Sequence, residues 1–134
     1  MKLSMQQIEL LNVLESRTGA QGKDVVLLED GKIVFMVPKA ELGRAVGRGG
    51  ANVERLAQAV GKPVDIVEYS EDEQEFVKGL FAPVQPDSIE VRDGTVFVRF
   101  QTADKGRAIG RGGEKAARAR TLLERYCRLK LKIL

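Results

Sequence analysis

Residues 43–50 read GRAVGRGG and residues 106–113 read GRAIGRGG, so one octapeptide occurs twice with a single difference, Val46 against Ile109. Within it, Gly47-Arg48-Gly49-Gly50 and Gly110-Arg111-Gly112-Gly113 carry the pattern G-x-x-G. Glycine lets a chain turn with φ > 0 and leaves no Cβ to hold another backbone away. Apolar periodicity resumes directly after each loop, so a helix is expected to begin there with its free N–H groups and positive dipole end facing whatever lies over the loop. Such a place suits an anion, and a phosphate in particular. Arg48 and Arg111 occupy the middle of the loops, while Arg44 and Arg107 stand just before them, where guanidinium groups add charge-assisted hydrogen bonds. The chemistry implied is the holding of a phosphodiester backbone. The competing explanation is a tight helix-to-helix connection whose glycines serve only packing; a second copy with the same arginine pair weighs against it.

Other glycine-rich phosphate motifs do not fit. A P-loop needs its second glycine five residues after the first, where Arg48 and Arg111 stand, followed by Lys-Ser or Lys-Thr, which neither copy has; a dinucleotide fingerprint needs glycine where Asn52 and Lys115 stand. The chain has no histidine, which removes the commonest general base and metal ligand. Cys127 is the single cysteine, excluding a disulfide scaffold or thiolate metal site, and is expected to be a small core residue. No metal, no small-molecule cofactor and no catalysis are therefore expected. With no Trp, two Tyr and five Phe, the stacking platform of RRM and cold-shock domains is not expected, most of the Phe being assigned to the core.

The 134 residues are 43% hydrophobic and 31% charged, a globular composition. No run approaches the roughly 18 apolar residues of a membrane span, and the start MKLSMQQIELL lacks the h-region of a signal peptide, so a cytoplasmic location is expected. The net charge of +3 is unevenly spread: Lys105 to Leu134 holds ten basic and two acidic residues, a balance of +8, leaving −5 for the first 104. A polyanion-binding face and a merely solvated basic surface both accommodate this.

The offset of 63 between the octapeptides recurs without a gap: Asp30-Gly31 with Asp93-Gly94, Ala40 with Ala103, Arg55 with Arg118, and apolar positions Ile33/Val96, Val34/Phe97, Val37/Phe100, Val64/Cys127 and Ile66/Leu129. A duplicated unit is the economical explanation. In the first copy, Ser4 and Gln7 have capping-box spacing with Leu3 and Ile8 at staple positions, and Gly19 is a plausible stop. Strands Asp24–Leu28 and Lys32–Val37 flank the Asp30-Gly31 turn; Pro38 opens a short helix to about Val46; Val53, Leu56, Ala57 and Val60 form a helical stripe ended by Gly61; and 64–67 is a last strand. In the second, Ser70 and Glu73 offer another capping box, and Glu71, Asp72, Glu73 and Glu75 suit a first helical turn better than a metal site. Strands follow at Ser88–Arg92 and Thr95–Phe100, helices from Thr102 and over Glu114–Tyr126, then Arg128–Ile133 with Leu129, Leu131 and Ile133 inward. Each half reads helix-strand-strand-helix-helix-strand.

VGRGGANV (46–53) and IGRGGEKA (109–116) resemble the signature of the KH domain: an aliphatic residue, GxxG, and an apolar position three residues on. The element order is similar to the type II KH arrangement, and two such domains over nearly the whole chain resemble the archaeal NusA-like transcription factors. The resemblance implies an α+β fold of two tandem type II KH domains, 1–69 and 70–134, each a three-stranded sheet covered by helices. It further implies that single-stranded RNA is the partner, its backbone held by the GxxG loops. In the first copy the implied RNA-binding residues are Arg44, Val46, Gly47, Arg48, Gly49, Gly50 and Val53. In the second they are Arg107, Ile109, Gly110, Arg111, Gly112, Gly113 and Lys115. Strand residues such as Val34 and Phe97 are expected near the grooves, and Ala116 in place of Val53 implies a second groove of different shape.

The function expected is binding of nascent RNA in transcription termination or antitermination, with RNA polymerase or its elongation complex as a further partner. The short joint at Tyr69-Ser70 is expected to restrict motion, so that one RNA strand engages both loops. Three rivals remain: a KH factor of ribosome assembly or translation, a protein-interaction module using the acidic helix from Glu71, and an Asp/Glu hydrolase, for which no paired-carboxylate spacing exists.

Overall fold

A computed structural model describes residues 3–134. The chain forms two compact units, Met1–Ser70 and Glu71–Leu134. The first contains α1 (Met5–Thr18), β1 (Asp24–Leu27), β2 (Ile33–Pro38), α2 (Lys39–Val46), a 3₁₀ turn (Arg48–Gly50), α3 (Ala51–Val60) and β3 (Val64–Tyr69). The second contains α4 (Glu73–Phe81), β4 (Ser88–Arg92), β5 (Thr95–Arg99), α5 (Thr102–Ile109), a 3₁₀ turn (Arg111–Gly113), α6 (Glu114–Cys127) and β6 (Lys130–Ile133). Both sheets have three strands, ordered β1-β2-β3 and β4-β5-β6, with an antiparallel hairpin and then a parallel pair. A parallel pair needs a crossover, and the two helices flanking each glycine loop supply it.

Local signals account for most boundaries. The Ser4 hydroxyl accepts from the Gln7 N–H while the Gln7 side chain accepts from the Ser4 N–H, a complete capping box, and Gly19 closes α1 at φ 77°. The inward side of β2, Ile33, Phe35 and Val37, packs with Leu14 of α1, Ala45 of α2 and Leu56 of α3. In the second unit Val96 and Val98 are fully buried, and Phe100 meets Phe81 edge-on at 5.1 Å between ring centroids. Leu129 is buried and Leu131 and Ile133 are half-buried, whereas Lys130 and Lys132 are exposed, as the alternation predicts; the strand, however, begins only at Lys130, because Arg128 is the left-handed cap of α6 (φ 55°).

Three sequence expectations are corrected. First, α4 is capped by Asp72, whose carboxylate accepts from the Glu75 N–H at 3.1 Å; Ser70 and Glu73 form no box, because the helix starts three residues after Ser70. Second, the offset of 63 does not hold to the end. Val64 pairs with Ile33 but Leu131 pairs with Val96, so the offset grows to 67, and Val64/Cys127 and Ile66/Leu129 are not equivalent. The cause is the length of α6, 14 residues against 10 in α3. Four extra residues are about one turn, which returns the chain to nearly the same helix face. Third, Cys127 ends α6 half-buried and is not a core residue; burial, with Glu73 nearby, pushes its thiol pKa up.

The Asp-Gly turns also differ. Asp93 (φ 50°) and Gly94 (φ 75°) form a two-residue loop between the paired Arg92 and Thr95. In the first unit the Leu28 N–H donates to Lys32 O, which leaves a three-residue loop in which only Gly31 has positive φ.

Candidate nucleic-acid interface

The two glycine loops have the same backbone. α2 ends on Gly47 (φ 75°, ψ 170°), Gly49 is left-handed at φ 62°, ψ 21°, and Gly50 at φ 78°, ψ 13° leads into α3. The second loop repeats this with Gly110 (83°, 170°), Gly112 (62°, 17°) and Gly113 (77°, 13°). The Gly47 N–H donates to Gly43 O and the Gly50 N–H to Gly47 O; the Gly110 N–H donates to Gly106 O and the Gly113 N–H to Gly110 O. The glycines divide by role. A Cβ on Gly47 would lie 2.7 Å from Asn52 Cγ, and one on Gly110 would lie 2.9 Å from Lys115 Cβ, so these two permit close packing of loop on helix. A Cβ on Gly49, Gly50, Gly112 or Gly113 meets nothing within 4 Å. Their outward side is open, and packing does not explain them. Since the N-cap residues Gly50 and Gly113 carry no side chain, neither α3 nor α6 is capped by one.

The arginines divide as well. Arg48 and Arg111 are exposed, and among the described residues neither has an ion-pair partner. Arg44 is restrained: it pairs with Glu41 at 3.5 Å and reaches Gly19 O at 3.4 Å. Arg107 pairs with Asp104. Glu41 and Asp104 stand at the same offset of 63, a correspondence the sequence analysis missed, and they hold the inner arginines against their own helices. Asn52 was also missed: its Nδ2 donates to Arg44 O at 2.8 Å, tying the start of α3 to the end of α2. Asn side chains commonly bond nearby backbone, which was the available signal.

Val46, Val53 and Ile109 are half-buried beside the loops, Lys115 is half-buried, and Ala116 is withdrawn at 3% exposure. Val53 and Ala116 therefore differ in surface as well as size. Val34 and Phe97 are not beside the loops. Strand alternation puts them on the opposite side from Ile33, Phe35 and Val37, and from Val96 and Val98, which face the helices. In the second unit a cleft of about 340 Å³ opens between α6 and β6, lined by Arg120, Glu124, Leu129, Lys130 and Leu131. Arg118 serves structure, donating to Leu80 O at 2.8 Å near the end of α4. Among the described residues no group of three His, Cys, Asp or Glu side chains is placed to hold a metal ion, and no helix is long and apolar enough to cross a membrane.

Gly43 and Gly106 add a further observation. Both are exposed, lie inside α2 and α5 without positive φ, and would place a Cβ within 4 Å of nothing. Neither packing nor conformation within the chain requires glycine there.

The KH domain family model matches residues 9–94. A probable transcription termination protein NusA from Methanococcus vannielii is 36% identical over 122 residues, covering 88% of this chain and 70% of that protein. The protein of the same name from Methanocaldococcus jannaschii is 30% identical over 138 residues, covering 99% of this chain and 75% of its own length. That from Halobacterium salinarum is 30% identical over 128 residues, covering 93% and 91%. Among solved structures, the crystal structure of APE1850 aligns with a TM-score of 0.87 at 34% identity, covering 98% of this chain and all of that one. With GxxG set between two helices on a mixed three-stranded sheet and a family match over most of its length, the chain belongs to the KH domain family, alongside proteins named as probable NusA.

Proposed function

We propose that this chain binds single-stranded RNA and acts in transcription termination or antitermination, each half (1–69 and 70–134) being a type II KH domain that holds the RNA backbone over its GxxG loop. The observation that carries the reading is the identity of the two loops: open glycines, an exposed arginine and an uncapped helix start, in the same backbone conformation twice. Gly49–Gly50 and Gly112–Gly113 let a phosphate approach the main chain, while Arg48 and Arg111 add donors on mobile side chains. Arg44 and Arg107, held by their acids, contribute local potential more than direct contacts. Bases then lie along Val46 and Val53 in one groove and Ile109 in the other. The relatives' names, probable transcription termination protein NusA, support transcription as the setting, with the elongation complex as the further partner in this reading, and nothing in the reading involves catalysis.

The test is a quadruple variant, Arg48→Asp with Gly49→Asp and Arg111→Asp with Gly112→Asp, measured by fluorescence anisotropy against a labelled single-stranded RNA. Asp tolerates the left-handed conformation of Gly49 and Gly112 better than most residues, so circular dichroism should remain that of the folded chain. RNA affinity should drop sharply. Unchanged affinity in a folded variant refutes the loops as the site. Copurification with RNA polymerase, as against ribosomal particles, tests the assignment to transcription.

A further inference from the structure

The duplicated units keep their loops alike but differ on the side of the sheet away from the helices. In the first unit that side carries Val26, Val34, Met36 and Val67, all at most 6% exposed. In the second, cross-strand pairing sets Glu90, Phe97 and Lys132 in one row and Arg92, Thr95 and Lys130 in the next, with Arg99 beyond. Glu90, Arg92, Arg99, Lys130 and Lys132 are exposed, and Phe97 is half-exposed. The Arg92 guanidinium lies over the Phe97 ring, 4.5 Å from its centroid, and its Nε is held by Glu90 Oε1 at 3.0 Å. The Arg92 side chain is nevertheless 57% exposed and so remains accessible from solvent.

We propose that this sheet face of the second unit is a second binding surface for single-stranded RNA, separate from the GxxG loops, in which a base stacks on the Arg92–Phe97 pair and phosphates meet Lys130, Lys132 and Arg99. Guanidinium planes and aromatic rings both serve as stacking platforms for unpaired bases. Phe97 beneath it and Glu90 beside it hold the Arg92 guanidinium over the ring before any ligand arrives, which lowers the ordering cost of stacking. Glu90, paired with Arg92, is the one acid that the strand pairing puts on this face beside four cations, Arg92, Arg99, Lys130 and Lys132, so a polyanion is the complementary partner. Rows on one face repeat every two residues, about 7 Å along a strand, which spreads the charges over an area suited to an extended chain.

The experiment uses the full chain, labelled for amide NMR, with an oligouridine 12-mer and with inorganic polyphosphate as probes. It is run on the wild type and on the quadruple loop variant. RNA is expected to shift amides of Thr95–Arg99 and Lys130–Ile133 in both proteins. In the loop variant, Arg92→Lys, which keeps the charge but loses the plane, should weaken the remaining RNA binding about tenfold with no change in salt dependence. Lys130→Gln with Lys132→Gln should instead make the salt slope shallower by about 1.4. The inference is overturned if RNA saturates the loops without shifting these strands, which would leave the face to a protein partner. It is equally overturned if polyphosphate reproduces every shift and Arg92→Lys binds like its parent, since the face would then be a general basic surface. Shifts on the sheet with silent loops would uphold this inference while refuting the loop-based function, so the two fail separately.

Discussion

Replacing Gly43 and Gly106 with alanine separates stability from binding in a way that few substitutions here can. Glycine inside a helix is less favourable than alanine by about 0.8–1.0 kcal/mol. Both glycines lie in helices without positive φ, are exposed, and leave an added methyl more than 4 Å from any atom outside the adjoining helix backbone. Each substitution is therefore expected to stabilise its unit by nearly that amount, raising its melting temperature by about 4–8 °C per kcal/mol for a domain of this size. Denaturant titration should show a higher midpoint at unchanged m. Both glycines lie one helical turn before the loops, and their carbonyls accept from Gly47 and Gly110. If RNA rests on this bare stretch, a methyl interposed there costs about 1–3 kcal/mol, the scale of over-packing, so Kd rises roughly 5- to 150-fold. Stabilised variants that bind RNA like the wild type would refute the idea that these positions are kept bare for a ligand. A loss of stability would refute the account of the helix itself.

Two further outcomes follow from the geometry. Asp72→Ala should destabilise the second unit by about 1 kcal/mol through loss of the cap on α4, measured by urea denaturation against the wild type, and a change below about 0.5 kcal/mol would refute the cap's role. If the loops and their arginines together neutralise about four to six phosphates, log K should fall against log[salt] with a slope of roughly −3 to −4, and a flat response would argue for a protein partner in place of RNA.

The order of elements was legible because it rests on local signals: the Ser4/Gln7 box, the Asp-Gly turns, Pro38 before a short helix, and the stripe from Val53 to Val60. What was lost depended on information not contained in short windows. An ungapped offset cannot reveal that α6 has one more turn than α3, because alternating apolar residues on either side of the insertion keep the pattern plausible. Ser70 and Asp72 are both good caps by residue type, and only the position where the chain leaves β3 for α4 decides between them. Phe97 illustrates a different limit. Alternation correctly puts it opposite Val96 and Val98, but hydrophobicity alone makes it look like core, and the fate of that sheet side depends on charges brought in from β4 and β6.

The packing explanation of the loops can be weighed residue by residue. It accounts for Gly47 and Gly110, whose missing Cβ atoms admit Asn52 and Lys115. Positive φ accounts for glycine at 49, 50, 112 and 113, yet a connector needs nothing of their open outward side, and Asn or Asp would serve a left-handed turn at modest cost. It offers no account of Arg48 and Arg111, exposed without ion-pair partners among the described residues, nor of the helical glycines at 43 and 106. An anionic chain lying over the loop gives each of these a role at once: glycines bare where the chain must come close, and arginines left to move where it must be met. The acids at 41 and 104 fit the same division, since they hold the arginines nearest the helix and leave the loop arginines to the ligand.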